Sequence, residues 1–153
     1  MKTTPYERIS RHLSIIAFAS EPRFFSVGPL TYDTKLAWKL VDRKIIRAPI
    51  EPLPIEHYLK YVGFDPSEGQ SSGFKLHLDK DIYEALSPEE ANKPGLVVRS
   101  EKLGAILISG NMNMAWLYKN GVHRMNVHVI SVKDEPMVLH GSDAYKRALK
   151  EYM

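Results

Sequence analysis

The stretch that decides the predicted fold reads NMNMAWLYKNGVHRMNVHVI and covers residues 111–130. Two segments in which polar and apolar residues alternate flank the dipeptide Asn120-Gly121. Both central residues of a type I′ turn need a positive φ angle, and Asn-Gly adopts that conformation more readily than other pairs. The pattern therefore predicts a β-hairpin over residues 111–130 with a two-residue turn.

The predicted register divides the hairpin into two faces, because side chains alternate across a strand. One face is expected to pack against the core and holds Met112, Met114, Trp116, Tyr118, His123, Met125, Val127 and Val129. The other face carries the polar groups of Asn111, Asn113, Arg124, Asn126 and His128. Amides donate and accept hydrogen bonds, and a guanidinium binds a phosphate with two parallel bonds. We therefore expect the second face to bind a polar or anionic ligand.

Sequence signals on either side of this stretch predict helices at both ends of the chain. Thr4-Pro5-Tyr6-Glu7 is typical of a helix start, and Ser142-Asp143 predicts a last helix with Tyr145 and Ala148 on its inner side. Between them, apolar runs predict strands over 24–27, 96–99 and 105–108, and strict alternation of apolar and polar residues predicts a strand over 74–79. These signals predict an α+β fold with a mainly antiparallel sheet, a central hairpin over 111–130, and terminal helices packed on one face.

Length and composition exclude several classes of protein. The chain of 153 residues suits a single globular domain over residues 1–153, and its Gly- and Ser-rich segment 65–73 predicts a mobile loop. The absence of cysteine excludes disulfide scaffolds, thiolate metal sites and cysteine nucleophiles. No apolar run has the length of a membrane span, and the N-terminus lacks the features of a signal peptide, so we expect a cytoplasmic protein.

A row of cations repeats every four residues on a helix that is predicted to run from about Asp33 to Ile46. The row consists of Lys35, Lys39, Arg43 and Arg47. Cations at this spacing lie on one helix face, where they suit contact with phosphate groups. We therefore predict that the protein binds RNA, DNA or a nucleotide through this helix and the polar sheet face. The sequence predicts no metal site and no cofactor.

Two histidines on predicted strands support an alternative function. His77 lies beside Lys75 on the strand over 74–79, and His128 lies near Arg124. If the two strands share a sheet, one imidazole can accept the 2′-hydroxyl proton while the other protonates the leaving oxygen. Arg124 or Lys75 would stabilise the charge that develops, and Lys75 could equally bind a phosphate. This alternative is a metal-independent ribonuclease or cyclic-nucleotide phosphodiesterase; a second alternative is an inhibitor or assembly factor that binds another protein.

Overall fold

The computed structural model describes residues 23–62, 64–65, 70–71 and 80–153. In chain order the elements are β1 (Phe24–Val27), β2 (Leu30–Asp33), α1 (Thr34–Asp42), β3 (Ile50–Pro54), α2 (Ile55–Val62), β4 (Phe64–Asp65), β5 (Gln70–Ser71), α3 (Lys80–Glu84), α4 (Pro88–Ala91), β6 (Gly95–Ser100), β7 (Gly104–Ser109), α5 (Asn111–Lys119), β8 (Arg124–Ile130), α6 (Glu135–Val138) and α7 (Asp143–Tyr152).

The chain divides into two compact units that interleave along the sequence. The sheet unit comprises Arg23–Glu51, Pro94–Ser109 and Asn126–Met153. The helical unit includes the described residues of Pro52–Lys93 and Gly110–Met125. The expectation of one domain over residues 1–153 stays a prediction.

The sheet unit begins with a tight hairpin of β1 and β2. Val27 pairs with Leu30, so only Gly28 and Pro29 form the turn. Gly28 has φ 56°, and a positive φ at the first turn position followed by a residue of negative φ is typical of a type II′ turn. Asp33 ends β2 and at once caps α1, because its Oδ1 accepts a hydrogen bond from the backbone N–H of Leu36 at 3.0 Å.

The larger sheet has the strand order β3-β8-β6-β7. β6 pairs antiparallel with β7 and parallel with β8, so the sheet is mixed. This confirms an α+β protein but corrects the prediction of a mainly antiparallel sheet. Parallel neighbours need a long connection, and residues 101–123, which include β7 and α5, lie between β6 and β8. Core side chains cover both faces of the sheet at β6, since Leu96, Val97 and Val98 are each at most 2% exposed.

Residues 111–119 form the helix α5 and not the first strand of a hairpin. The N–H of Val122 donates to the carbonyl of Leu117 at 2.9 Å, and the N–H of Gly121 donates to that of Tyr118 at 3.1 Å. Gly121 has φ 78° but Asn120 has φ −97°. These features define a Schellman motif, which needs one left-handed residue, whereas a type I′ turn needs two. The prediction of a hairpin over 111–130 is therefore wrong, and only its second strand is present, as β8.

The helix α1 ends at Asp42, four residues earlier than predicted. Lys44 has φ 59°, and the N–H of Ile45 donates to the carbonyl of Leu40 at 2.9 Å, so this helix also ends in a Schellman motif. The reversal directs Ile46 into the core, where it is 2% exposed. The prediction of four cations on one helix is corrected, because Arg43 lies at the helix end and Arg47 lies beyond it.

The last helix, α7, begins where its sequence predicts. The Oγ of Ser142 accepts a hydrogen bond from the N–H of Tyr145 at 3.0 Å, and Tyr145 and Ala148 are buried. Other predictions fall outside the described residues: the N-terminal helix, the strand over 74–79, and the loop 65–73 apart from Asp65, Gln70 and Ser71. The packing of two terminal helices on one sheet face thus stays a prediction. No helix in the described part of the chain has the length and apolar character needed to cross a membrane.

Candidate anion-binding surface

Two hydrogen bonds hold α1 beside α7 in the sheet unit. At one end the hydroxyl of Tyr145 donates to Oδ2 of Asp33 at 2.8 Å. At the other end Nη1 of Arg43 donates to the backbone carbonyl of Tyr152 at 3.4 Å. The first bond joins the N-terminal ends of the helices and the second joins their C-terminal ends. The two helices therefore run side by side in the same direction.

Asp33 is the buried centre of the contact between the N-terminal ends. Its carboxylate accepts hydrogen bonds from Arg23 (Nη2 at 2.9 Å), from the N–H of Leu36 and from Tyr145. Burial alone would raise the pKa of Asp33, but these donors outweigh it and hold the pKa below its ordinary value. Burial and the hydrogen bond to Asp33 raise the pKa of Tyr145 to about 12. Asp33 is therefore ionised and Tyr145 is protonated at neutral pH.

The outer sides of this helix pair are cationic. Leu36 and Leu40 of α1 and Ala148 of α7 point inward and are buried. The outward-facing cations are Lys35, Lys39, Arg43, Lys146, Arg147 and Lys150, of which all but the half-buried Lys39 are exposed. We call these six residues the α1/α7 surface. The exposed acids of the two helices are Asp42, Asp143 and Glu151.

Ion pairing among the described residues leaves the six cations without a carboxylate partner. Across residues 23–62 and 80–153, none of the six lies within ion-pair distance of Asp or Glu. By contrast, Arg99 pairs with Glu51 at 3.2 Å, and Lys119 pairs with Glu84. The whole sheet unit carries twelve Lys and Arg against eight Asp and Glu. The α1/α7 surface therefore carries an excess of positive charge over the three exposed acids of the same helices.

The polar residues predicted for the first hairpin strand do not lie on a sheet. Asn111 is 4% exposed at the start of α5. Nδ2 of Asn113 donates to the backbone carbonyl of Glu90 at 3.0 Å, which ties α5 to the end of α4. Both predicted ligand-binding roles required a strand face, so the helix removes the reason for assigning them.

The second predicted strand keeps its two faces. Met125, Val127 and Val129 are buried, whereas Arg124 and Asn126 are exposed and His128 is half-buried. The predicted alternation is therefore confirmed from Arg124 to Val129, whereas His123, predicted on the core face, is exposed, and Ile130, predicted on the polar face, is buried. Its polar positions are Arg124, Asn126 and His128.

His128 is held by two neighbours within the sheet unit. Its Nδ1 lies 3.0 Å from the backbone carbonyl of Ala48, and its ring meets that of Trp38 edge to face at 5.7 Å between centroids. A carbonyl only accepts hydrogen bonds, so Nδ1 must carry the hydrogen and Nε2 is the basic nitrogen of the neutral ring. The catalytic pairing with His77 stays a prediction, because His77 and Lys75 lie outside the described residues.

The helical unit contains a hollow of about 260 Å³ that the sequence did not predict. Its lining residues are Tyr83, Glu84, Trp116, Lys119 and Asn120. They come from α3 and from the end of α5, and no motif links the two segments. Because Glu84 pairs with Lys119, the charges of this hollow neutralise each other. It therefore lacks the excess of positive charge of the α1/α7 surface.

A second unpredicted cluster lies at the N-terminal end of the α1/α7 surface and consists of Arg23, Phe24, Asp33, His140 and Tyr145. These residues belong to separate segments, so no sequence spacing reveals them. The described residues contain no group of three His, Asp or Glu side chains that could share a metal ion.

Comparisons with models of known families, with curated proteins and with solved structures found no match for this chain.

Proposed function

We propose that this protein binds nucleic acid, with the α1/α7 surface contacting the phosphate backbone. The observation that carries the proposal is that six cations lie on two neighbouring helices and that no carboxylate of the described residues is close enough to pair with any of them. This role is consistent with the predicted cytoplasmic location, because RNA is present there.

The arrangement of the helices supports a linear polyanion as the ligand. Like charges four residues apart on a helix repel by about 0.2–0.5 kcal/mol per pair, and phosphates relieve this repulsion. At a rise of 1.5 Å per residue, the cations extend over about 12 Å of α1, from Lys35 to Arg43, and over about 6 Å of α7, from Lys146 to Lys150. Because the two helices lie side by side in the same direction, we infer that their cations form one strip that contacts several successive phosphates.

The cations of this strip differ in part from the four that the sequence predicted. Lys35, Lys39 and Arg43 remain, but Arg47 lies beyond the end of α1 and does not continue the strip. Lys146 and Lys150 of α7 belong to the proposed strip, although the sequence did not predict them as part of the row. Arg124 and Asn126, which are exposed on β8, remain candidates for contacts with the bases.

A salt titration tests this proposal. Each cation that neutralises a phosphate releases counterions, so six contacts give a log–log slope of about −5 with duplex and about −4 with single strands. We expect a labelled oligonucleotide to bind at low salt and to dissociate steeply as salt rises. Absence of binding at about 50 mM salt, or binding indifferent to salt, would overturn the proposal.

A set of matched variants locates the surface. Lys35→Gln, Lys39→Gln and Arg43→Gln combined should weaken binding at least about tenfold and make the slope shallower by about 3. The control combines Lys93→Gln, Lys102→Gln and Lys133→Gln, which remove the same charge from exposed positions elsewhere. Equal loss of affinity in both triple variants would show that net charge, and not this surface, is responsible.

The two alternative functions stay predictions and have their own readouts. Cleavage of RNA or of a cyclic nucleotide in EDTA by the wild type but not by His128→Ala would indicate the metal-independent enzyme. Isolation of a stoichiometric complex with one protein would indicate the inhibitor or assembly factor.

A further inference from the structure

We propose that Arg23, Phe24 and His140 form a base-stacking platform at the N-terminal end of the α1/α7 surface, and that the ligand is therefore single-stranded. This inference rests on the proposed function, because it assigns the kind of nucleic acid that the surface binds.

Five side chains form a closed ring of contacts around this platform. The guanidinium carbon of Arg23 lies 5.0 Å from the ring centroid of Phe24, and the Phe24 ring meets His140 edge to face at 5.4 Å. The His140 ring lies 5.3 Å from Tyr145. Tyr145 donates to Asp33, and Asp33 accepts from Arg23, which closes the ring. Each planar group is thus held by two neighbours. Because the Phe24 and His140 rings are inclined at 83° and Arg23 covers one face of Phe24, a base stacks on one of the two rings and not on both.

The platform is attached to ordered backbone at both of its edges. The N–H of His140 donates to the carbonyl of Thr31 at 2.8 Å, which fixes the His140 segment against β2. The carbonyl of Arg23 accepts hydrogen bonds from the N–H and the hydroxyl of Thr34, each at 2.7 Å. Anchoring of this kind reduces the conformational entropy that these side chains lose when a ligand binds.

The planar groups reach solvent although they are fixed. Phe24 is 41% exposed, the Arg23 side chain is 40% exposed, and His140 is exposed. Phenyl, imidazole and guanidinium planes are the groups on which proteins stack unpaired bases. The hydrogen bonds of Arg23 to Asp33 use Nε and Nη2. Nη1 takes no part in these bonds, so its hydrogens can donate to a base or a phosphate.

The platform favours single-stranded over double-stranded nucleic acid, whereas the cations by themselves attract both. Both forms carry phosphates, so the α1/α7 surface alone attracts either. Bases of a duplex are paired and stacked on each other, whereas bases of a single strand can stack on a protein ring. The platform adjoins Asp33 and Tyr145, at the N-terminal ends of the two helices that carry the cations, so a strand whose base stacks there can extend its phosphates along α1 and α7.

The test compares a single-stranded oligonucleotide with a duplex of the same length, using the full chain. Stacking of a base on a ring contributes about 1–3 kcal/mol, which corresponds to about 5- to 150-fold in affinity. We expect Phe24→Leu and His140→Ala each to weaken single-strand binding at least about 5-fold and to leave duplex binding unchanged. Lys35→Gln with Lys39→Gln should weaken both.

Tyr118→Leu is the matched control, because Tyr118 is an aromatic residue with 38% exposure in the helical unit. It should leave both affinities unchanged. A 2-aminopurine placed along the single strand should also lose fluorescence on binding, and Phe24→Leu should restore it. Thermal unfolding of each variant confirms that it is folded, and His140→Ala keeps the backbone bond to Thr31.

Three results would overturn the inference. Equal wild-type affinity for single strand and duplex, unchanged single-strand affinity in both Phe24→Leu and His140→Ala, or absence of 2-aminopurine quenching would each refute the platform while leaving the proposed function in place. If the wild type binds neither nucleic acid at low salt, the proposed function fails and the platform fails with it.

Discussion

The hydroxyl of Tyr145 donates a 2.8 Å hydrogen bond to the carboxylate of Asp33, although 112 residues separate them in the chain. The same carboxylate caps α1 through the N–H of Leu36 and binds the guanidinium of Arg23. One buried anion therefore holds together the first hairpin, α1 and α7. Because the cationic surface lies on the outer sides of these two helices, its geometry depends on this contact.

Removing the hydroxyl of Tyr145 should destabilise the protein without changing its fold. Hydrogen bonds to charged groups contribute about 1.5–3 kcal/mol, so we expect Tyr145→Phe to lower the free energy of unfolding by about that amount. Urea denaturation measures the change. Tyr118→Phe serves as the control, since Tyr118 is exposed and should lose less than about 0.5 kcal/mol. Equal losses in the two variants would contradict the role of the Asp33 bond.

Stability should fall in alkaline solution. The pKa of Tyr145 is raised to about 12 by burial and by Asp33, while an unfolded tyrosine titrates near about pH 10. The contribution of Tyr145 is complete below about pH 10 and is lost as pH rises toward 12, because only the unfolded state then releases the proton. Denaturation at a series of pH values should show a shallower decline in Tyr145→Phe. A residual decline is expected from Tyr32, whose pKa is raised by burial and by Glu135.

Stability should also fall in acidic solution, because Asp33 contributes to stability only when it is ionised. The pKa of Asp33 lies below its ordinary value, since Arg23 and the other donors outweigh the effect of burial. Its contribution is present above about pH 3.9, the pKa of the unfolded residue, and is lost as pH falls through the lower folded value. Asp33→Asn should cost about 3 kcal/mol at neutral pH and remove part of the acid dependence. An unchanged acid transition in Asp33→Asn would assign that transition to other carboxyl groups.

The two Schellman motifs should respond to substitution in opposite directions. Gly121 has φ 78° with no atom near an added Cβ, so Gly121→Ala should cost about 1 kcal/mol through backbone strain alone. Lys44 has φ 59°, so Lys44→Gly should stabilise by about 0.5–1 kcal/mol. Thermal unfolding measures both. Lys44→Ala removes the charge but keeps a Cβ, so a gain of stability in that variant would attribute the effect to charge.

Signals that act over a few residues predicted the local structure correctly. Ser142 caps α7 by accepting from the N–H of Tyr145, as its position before the helix predicted. β6, β7 and the alternation of β8 also lie where their apolar patterns indicate. In each case the hydrogen bond or the alternation involves neighbours in the chain, so the residues themselves contain the information.

The segment 111–119 shows where such signals fail. Its residues alternate well enough for a strand, yet α5 buries Met112, Met114, Ala115 and Leu117, which lie on several sides of a helix. A helix that is covered on most sides has no clear polar face, so the 3.6-residue period of its apolar pattern is hard to recognise in the sequence. Asn120-Gly121 suits both a hairpin turn and a helix end, and the surrounding packing selects between them.

By itself the sequence determined the caps, the α+β class, the apolar alternation of β8 and the cations of α1. Only the tertiary structure decided that α7 lies beside α1, that the buried carboxylate of Asp33 joins them, and that Arg23, Phe24 and His140 meet at their N-terminal end. The physical reason is the range of the forces involved. Backbone hydrogen bonds and turn preferences act between neighbours in the chain, whereas burial and ion pairing act between residues that the fold brings together.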